Sequence, residues 1–325
     1  MAARHSLACR CEPSGSNLRL VLLLSILLFG CRPATPPPSP ADQTQVVATS
    51  EIETKSAPAR PTTVPEEITE IRNGEYQLGA TDALQTVQLK DGKLEQGIPG
   101  SDNYLSVVMT DFIAVGDLNA DGQDEVAALV SENYGGSGVF VFLAVYENVD
   151  GALTFQTSTM VDDRPQLNAL SIDEGEIFLD AVIHGTDDPM CCPTLRTTRH
   201  YRLVDNLLDM TDYTTFTPAG DPRTISIDVP IDESEVFSSV TLKGSVAIAP
   251  FENNLTYRIY DVGGVELSVG AIPVTAPDLG APGTFNTVIP IGNILSGTVV
   301  RIEVQDISAE DGSLLAMDSV ELVVK

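Results

Sequence analysis

The stretch Phe112-Ile113-Ala114-Val115-Gly116-Asp117-Leu118-Asn119-Ala120-Asp121-Gly122-Gln123-Asp124-Glu125-Val126-Ala127-Ala128-Leu129-Val130 joins two apolar runs across a polar turn built around Asp121-Gly122. Short runs of β-branched and small apolar residues on either side of an Asp-Gly pair form a β-hairpin. The same pattern continues outward. Val87-Gln88-Leu89, Val139 to Tyr146, Ile177 to Ile183 and Arg199 to Leu203 are short apolar or alternating runs, and Asp91-Gly92, Asp150-Gly151 and Glu174-Gly175 supply further turns. No long stretch keeps a helical period, so the fold class expected is all-β.

A break falls at Thr217-Pro218-Ala219-Gly220-Asp221-Pro222, a short polar linker. Beyond it come Ile225 to Val229, Val240 to Ile248, Leu255 to Tyr260, Val265 to Val269, Thr284 to Ile289, Val299 to Val304 and Val320 to Val324. About seven short strands in a hundred residues, several alternating apolar with polar side chains, argue for an immunoglobulin-like β-sandwich. The organisation expected is therefore a β-rich domain over 67–216, a linker over 217–223 and a sandwich over 224–325. The sandwich region lacks Cys and Trp, so its core rests on aliphatic packing without an inter-sheet disulfide.

The C-terminal hundred residues resemble the immunoglobulin-like domain of bacterial spore-germination proteins, the Gmad family. The resemblance is carried by Ile227-Asp228-Val229-Pro230, Leu242-Lys243-Gly244-Ser245-Val246-Ala247, Phe251-Glu252, Tyr257-Arg258-Ile259 and Ser308-Ala309-Glu310-Asp311-Gly312-Ser313. It implies an extracellular interaction or structural module rather than an enzyme. The germination partner domain is not apparent in this chain, so that process does not carry over.

The polar turn of the opening stretch has the spacing of a hard-cation loop. Asp117, Asn119 and Asp121 place side-chain oxygens at alternate positions, Gly122 permits a sharp turn, Gln123 offers its carbonyl and Glu125 adds a carboxylate. Calcium takes six to eight oxygens at about 2.3 to 2.6 Å, and a tight loop of this kind supplies several of them. An EF-hand would need Glu at its twelfth place, which is Ala128. The stretch resembles instead the shorter calcium loop of integrin-type FG-GAP repeats. That resemblance implies a structural calcium ion pinning a hairpin, and because the motif occurs once it does not indicate a propeller. The other reading is a polar β-turn whose Asp and Asn oxygens satisfy backbone donors without metal.

Asp187-Asp188-Pro189-Met190-Cys191-Cys192-Pro193 is the second distinctive loop. Three readings are open for Cys191 and Cys192: a vicinal disulfide stiffening a turn between prolines, two free thiols, or zinc ligands with His184 and His200. Adjacent cysteines are an unusual arrangement for one zinc ion, and the disulfide is the preferred reading.

At the N-terminus, Arg4 and Arg10 lie before, and Arg19 at the start of, an apolar run from Leu18 that ends in Leu28-Phe29-Gly30-Cys31. A basic region, an apolar stretch too short to span a bilayer comfortably and a small residue at the cleavage point make an export signal. Glycine followed by cysteine resembles the lipobox of bacterial lipoproteins. The resemblance implies removal of 1–30 as a signal peptide, lipidation of Cys31 and anchoring to the membrane through the lipid. A soluble secreted protein or an uncleaved helix are the other readings of this run. Residues 31–66, rich in Pro, Thr, Ser and Ala, are expected to form a disordered tether, since they cannot bury enough apolar surface to offset their ordering entropy. The address implied is extracytoplasmic, at the cell envelope.

The net charge of -28 on 325 residues fits this reading. Removing 1–30 takes away three Arg and one Glu, leaving 15 basic and 45 acidic residues. So acidic a surface repels phosphate backbones and excludes nucleic acid as a natural partner. The five cysteines do not form a disulfide framework, because Cys9 and Cys11 lie in the signal and Cys31 is the lipid site. No Gly-x-Ser-x-Gly elbow, His-Glu-x-x-His or phosphate loop occurs. The expectation is a non-catalytic binding, adhesion or structural module for an unknown envelope protein or glycan. The alternative is a thiol-redox or hydrolytic enzyme built on the Cys191-Cys192 loop.

Overall fold

The architecture begins with strands too apolar to face water on either side. In β5 (Glu125–Asn133), Val126, Ala128 and Val130 point to one face, Ala127 and Leu129 to the other, and all five are buried. In β6 (Phe140–Val149), Phe142, Ala144 and Tyr146 likewise oppose Val141, Leu143 and Val145. A continuous apolar run with a side-chain period of two demands cover on both faces. The structure is a computed structural model describing residues 66–80, 84–204, 206–292 and 294–325. The expected signal peptide, Cys31 and the expected tether as far as residue 65 lie outside the described residues.

Both covers are present. β5 and β6 are central in an antiparallel five-stranded sheet with β3 (Lys93–Gln96), β4 (Leu105–Gly116) and β7 (Ala152–Asp163) in the order β3-β4-β5-β6-β7. One face packs under a cap made of α1 (Glu66–Ile71) and the hairpin of β1 (Glu75–Leu78) with β2 (Gln85–Gln88), where Ile71, Tyr76, Leu78 and Val87 meet Val126, Phe142 and Tyr146. Tyr76 and Tyr146 stack edge to face at 5.2 Å, and the Tyr76 hydroxyl donates to the Ile71 carbonyl at 2.9 Å. The other face packs on β8 (Gln166–Asp173), β9 (Glu176–Ile183), β10 (Leu195–Val204) and β11 (Leu207–Phe216), through Ile177, Leu179, Ala181 and Tyr201.

The C-terminal part comprises β12 (Pro222–Arg223), β13 (Ile225–Val229), β14 (Ser234–Val236), β15 (Ser239–Val246), β16 (Asn254–Asp261), β17 (Glu266–Thr275), β18 (Gly283–Pro290), β19 (Val299–Ile307) and β20 (Leu314–Val324). β13, β15 and β18 form one layer, while β17, β16, β19 and β20 form the other. β17 links them, pairing with β16 up to Pro273 and then with β18 at Val274 and Thr275. Leu242, Leu255, Ile259, Ile272, Phe285, Ile302 and Leu322 fill the space between the layers. The described residues are all-β apart from α1 and a 3₁₀ turn at Phe251–Asn253, as expected.

The two parts share a sheet. Asp212, Tyr213 and Thr214 of β11 pair with Asp318, Met317 and Ala316 of β20, so one hydrogen-bonded path runs from β8 through the seam to β13. The polar linker is a tight turn in which Thr217 N–H donates to Asp221 at 2.9 Å, and β12 then returns along β11. The described residues fall within one compact unit.

Candidate functional site

The connection from β4 to β5 is a chain of side-chain-to-backbone bonds. Asn119 N–H donates to Asp117 Oδ1 at 3.3 Å, Asp121 N–H to Asn119 Oδ1 at 3.0 Å, Gln123 N–H to Asp121 Oδ1 at 2.7 Å and Gly122 N–H to Asp117 Oδ2 at 3.0 Å. The alternate spacing read from the sequence thus becomes an Asx-turn ladder, with Gly122 at φ 85° and Ala120 at φ 60° bending the backbone. Each of these carbonyl and carboxylate oxygens has acceptor capacity beyond the one bond named. The donor set is therefore compatible both with a hard oxygen-seeking cation and with a metal-free polar turn.

Glu125 sits differently from the exposed residues of this loop. It is fully buried, with Oε2 accepting from Leu118 N–H at 2.8 Å and Oε1 from Asn148 N–H at 3.4 Å. Burial raises its pKa, and those two donors oppose the rise. Its carboxylate holds the loop from beneath and ties it to the end of β6. Gln123 is exposed at the rim. Beside the loop, a cleft of about 410 Å³ brings Asp117 next to Asp173 and Glu174 of the β8–β9 turn. Among the described residues, no group of three or more His, Cys, Asp and Glu side chains is gathered to hold a metal.

The β9–β10 connection is organised by Asp188. Its Oδ2 accepts from Gly185 N–H at 2.8 Å and Thr194 N–H at 2.7 Å, and its Oδ1 accepts from the Thr194 hydroxyl at 2.8 Å. These donors lower the Asp188 pKa. At the tip, Cys191 and Cys192 are exposed, with their sulfurs in bonding contact. The histidines point elsewhere: His184 Nδ1 lies 3.0 Å from Asp162 Oδ2, and His200 Nδ1 lies 3.2 Å from Glu176 Oε2. Cys31 lies outside the described residues.

One polar site at the seam escapes sequence reasoning. His200, Asp212 and Asp318 are consecutive cross-strand partners on β10, β11 and β20. They lie in a cavity of about 450 Å³ with Glu176, Arg202, Asp232 and Glu321. Asp318 Oδ2 accepts from Ile227 N–H at 2.6 Å. Burial, with Asp212 and Asp232 adding repulsion, pushes Asp318 up to about 7, and burial pushes Asp212 up to about 6. His200 is also raised, first by its bond to Glu176. The signal that could have found this site is Asp318 itself, a carboxylate in the apolar phase of Ala316, Val320, Leu322 and Val324.

Neither a protein-family model nor a curated protein matches the chain.

Proposed function

We propose that the chain is a cell-envelope protein, anchored through lipid on Cys31 and a Pro/Thr-rich tether, that acts as a non-catalytic binding, adhesion or structural module. Its C-terminal part is read as an immunoglobulin-like domain of the Gmad type. A calcium ion held by Asp117, Asn119, Asp121 and the Gln123 carbonyl, with Glu125 as ligand or as the buried brace of the loop, pins the β4–β5 hairpin. The observation that carries this reading is the Asx ladder of Asp117, Asn119 and Asp121, whose oxygens are each engaged by a backbone N–H two residues on. Such a loop stiffens a scaffold that presents other loops to a partner, an envelope protein or a glycan.

Thermal unfolding in calcium, magnesium or chelator tests the ion. Calcium at a hundredfold excess over its Kd adds about 2.7 kcal/mol to stability, so a rise in Tm specific to calcium and absent in Asp117→Ala is expected. Equal Tm values in calcium and chelator would overturn the calcium assignment. The exposure of Cys191 and Cys192 favours a second reading, a thiol-redox or hydrolytic enzyme with these residues at its centre. Replacing both by Ser separates the two: a binding module keeps its partner, whereas an enzyme loses turnover.

A further inference from the structure

Three loops meet at one end of the C-terminal sandwich: the β15–β16 connection with Phe251, the β17–β18 connection with Leu279, and the β19–β20 turn at Ser308–Ser313. Phe251 is 68% exposed and Leu279 81% exposed, and both are large apolar side chains held out over a cavity of about 720 Å³. Ile248, Pro250, Ile307 and Leu315 form its apolar lining. Exposed apolar side chains of this size, grouped over a concave apolar lining, mark an interaction site, whereas the same residues scattered singly would carry no meaning.

The loops are fixed in place. Ala249 N–H donates to the Ala281 carbonyl at 2.9 Å, tying the Phe251 loop to the Leu279 loop, and Asn253 N–H donates to Pro250 at 3.0 Å to close a turn around Phe251. Glu252 and Asn253 both take left-handed backbone, at φ 55° and 54°. Neither is glycine, and Glu252 in particular is a residue type that rarely takes this conformation. The turn presents Phe251 to solvent and not to the sandwich core. Asp278 Oδ1 accepts from Leu279 N–H at 2.8 Å, fixing the second tip as well.

The charge around the cavity indicates the partner. Glu252 and Glu310 stand exposed on its rim, and Asp278 flanks Leu279. The one cation lining the cavity, Arg223, is paired with the buried Asp306 at 2.9 Å. The rim repels anionic lipid head groups, and an apolar lining leaves the hydroxyls of a glycan unsatisfied. A polypeptide with a large apolar side chain between basic residues satisfies both lining and rim.

We infer that this end of the sandwich is the docking site for a basic polypeptide segment that inserts one large apolar side chain between Phe251 and Leu279. The inference rests on the binding-module reading and names its partner class. To test it, a displayed library of random peptides is selected against the full chain, and the enriched peptides are titrated against the wild type, Phe251→Ser/Leu279→Ser and Glu252→Lys/Glu310→Lys. Sequences pairing Phe, Leu or Trp with Lys or Arg are expected, with each double variant binding them roughly tenfold more weakly or worse. All four side chains are exposed, so both variants should keep the wild-type Tm, which serves as the folding control. Enriched peptides that bind the variants as tightly as wild type would overturn this site while leaving a binding module in place. Enrichment of acidic peptides, or no enrichment, would overturn the partner class. A concentration-dependent dimer abolished by Phe251→Ser/Leu279→Ser would overturn it in favour of a second copy.

Discussion

Single residues in this molecule are constrained most tightly where strands approach closely. Gly244 in β15 has no room for a side chain: a Cβ there would lie 2.0 Å from the Ser226 carbonyl oxygen and 2.4 Å from the Phe285 ring. Both neighbours are held, one by the β13 ladder and the other in the sandwich core. Gly244→Ala should therefore destabilise the protein by about 1–3 kcal/mol, the usual range for overpacking a core, and urea unfolding measures it. An unchanged midpoint would mean that β13 moves away freely. Gly122 presents the opposite case, with nothing within 4 Å of its would-be Cβ but a φ of 85°. Alanine there meets only the backbone cost, about 1 kcal/mol.

Between elements, the seam of β11 with β20 is the place where pH acts. Asp212 and Asp318 lie directly opposite, which is destabilising for two like charges on facing strands. His200 and Arg202 from β10, Glu176 from β9, Asp232 from the β13–β14 connection and Glu321 from β20 share their cavity. Asp318, at about 7 in the folded protein, binds a proton that the unfolded chain would release near 3.8. Its stabilising contribution is complete below that unfolded value and is lost as pH rises through about 7. His200, also raised, is protonated more readily in the folded state, so its contribution likewise falls as pH rises through its folded pKa. The expectation is a stability loss of roughly 1–2 kcal/mol between mildly acid and mildly alkaline pH, allowing for solvent screening in a half-open cavity. Asp318→Asn removes one negative charge and should reduce that slope, leaving the share carried by Asp212 and His200, with the larger gain in Tm on the alkaline side. A slope unchanged in Asp318→Asn would place its origin outside this pair.

For the molecule as a whole, the shared sheet sets cooperativity. The ladder across Asp212 to Thr214 and the buried Thr215 hydroxyl, which donates to the Leu315 carbonyl at 2.7 Å, join the two parts across the seam. Arg202 with Asp232 at 3.0 Å and Arg301 with Asp209 at 3.1 Å add ion pairs across the same boundary. The two parts are therefore expected to unfold together, giving one calorimetric peak whose calorimetric and van't Hoff enthalpies agree. Two resolved peaks would show that the seam opens independently.

The sequence by itself determined the all-β class and most of the strands, because Val126 to Val130 and Val139 to Tyr146 are too apolar for a solvent-facing face and Asp-Gly and Glu-Gly pairs close the turns between strands. It also made the polar loop Asp117 to Glu125 legible as a candidate cation loop, because its candidate ligands lie within nine residues and its ladder is local. β7, β8 and β11 were not legible, since Thr, Ser, Asp and Gln crowd them and strand formation there depends on neighbours supplied by pairing. Only the tertiary structure decided that β11 and β20, about a hundred residues apart in the chain, share a ladder. The same holds for the row His200–Asp212–Asp318 and for the meeting of Phe251 with Leu279. Local patterns write a strand into the residues that form it, whereas a seam or a pocket arises from register and loop closure between distant segments, and no single segment encodes these alone.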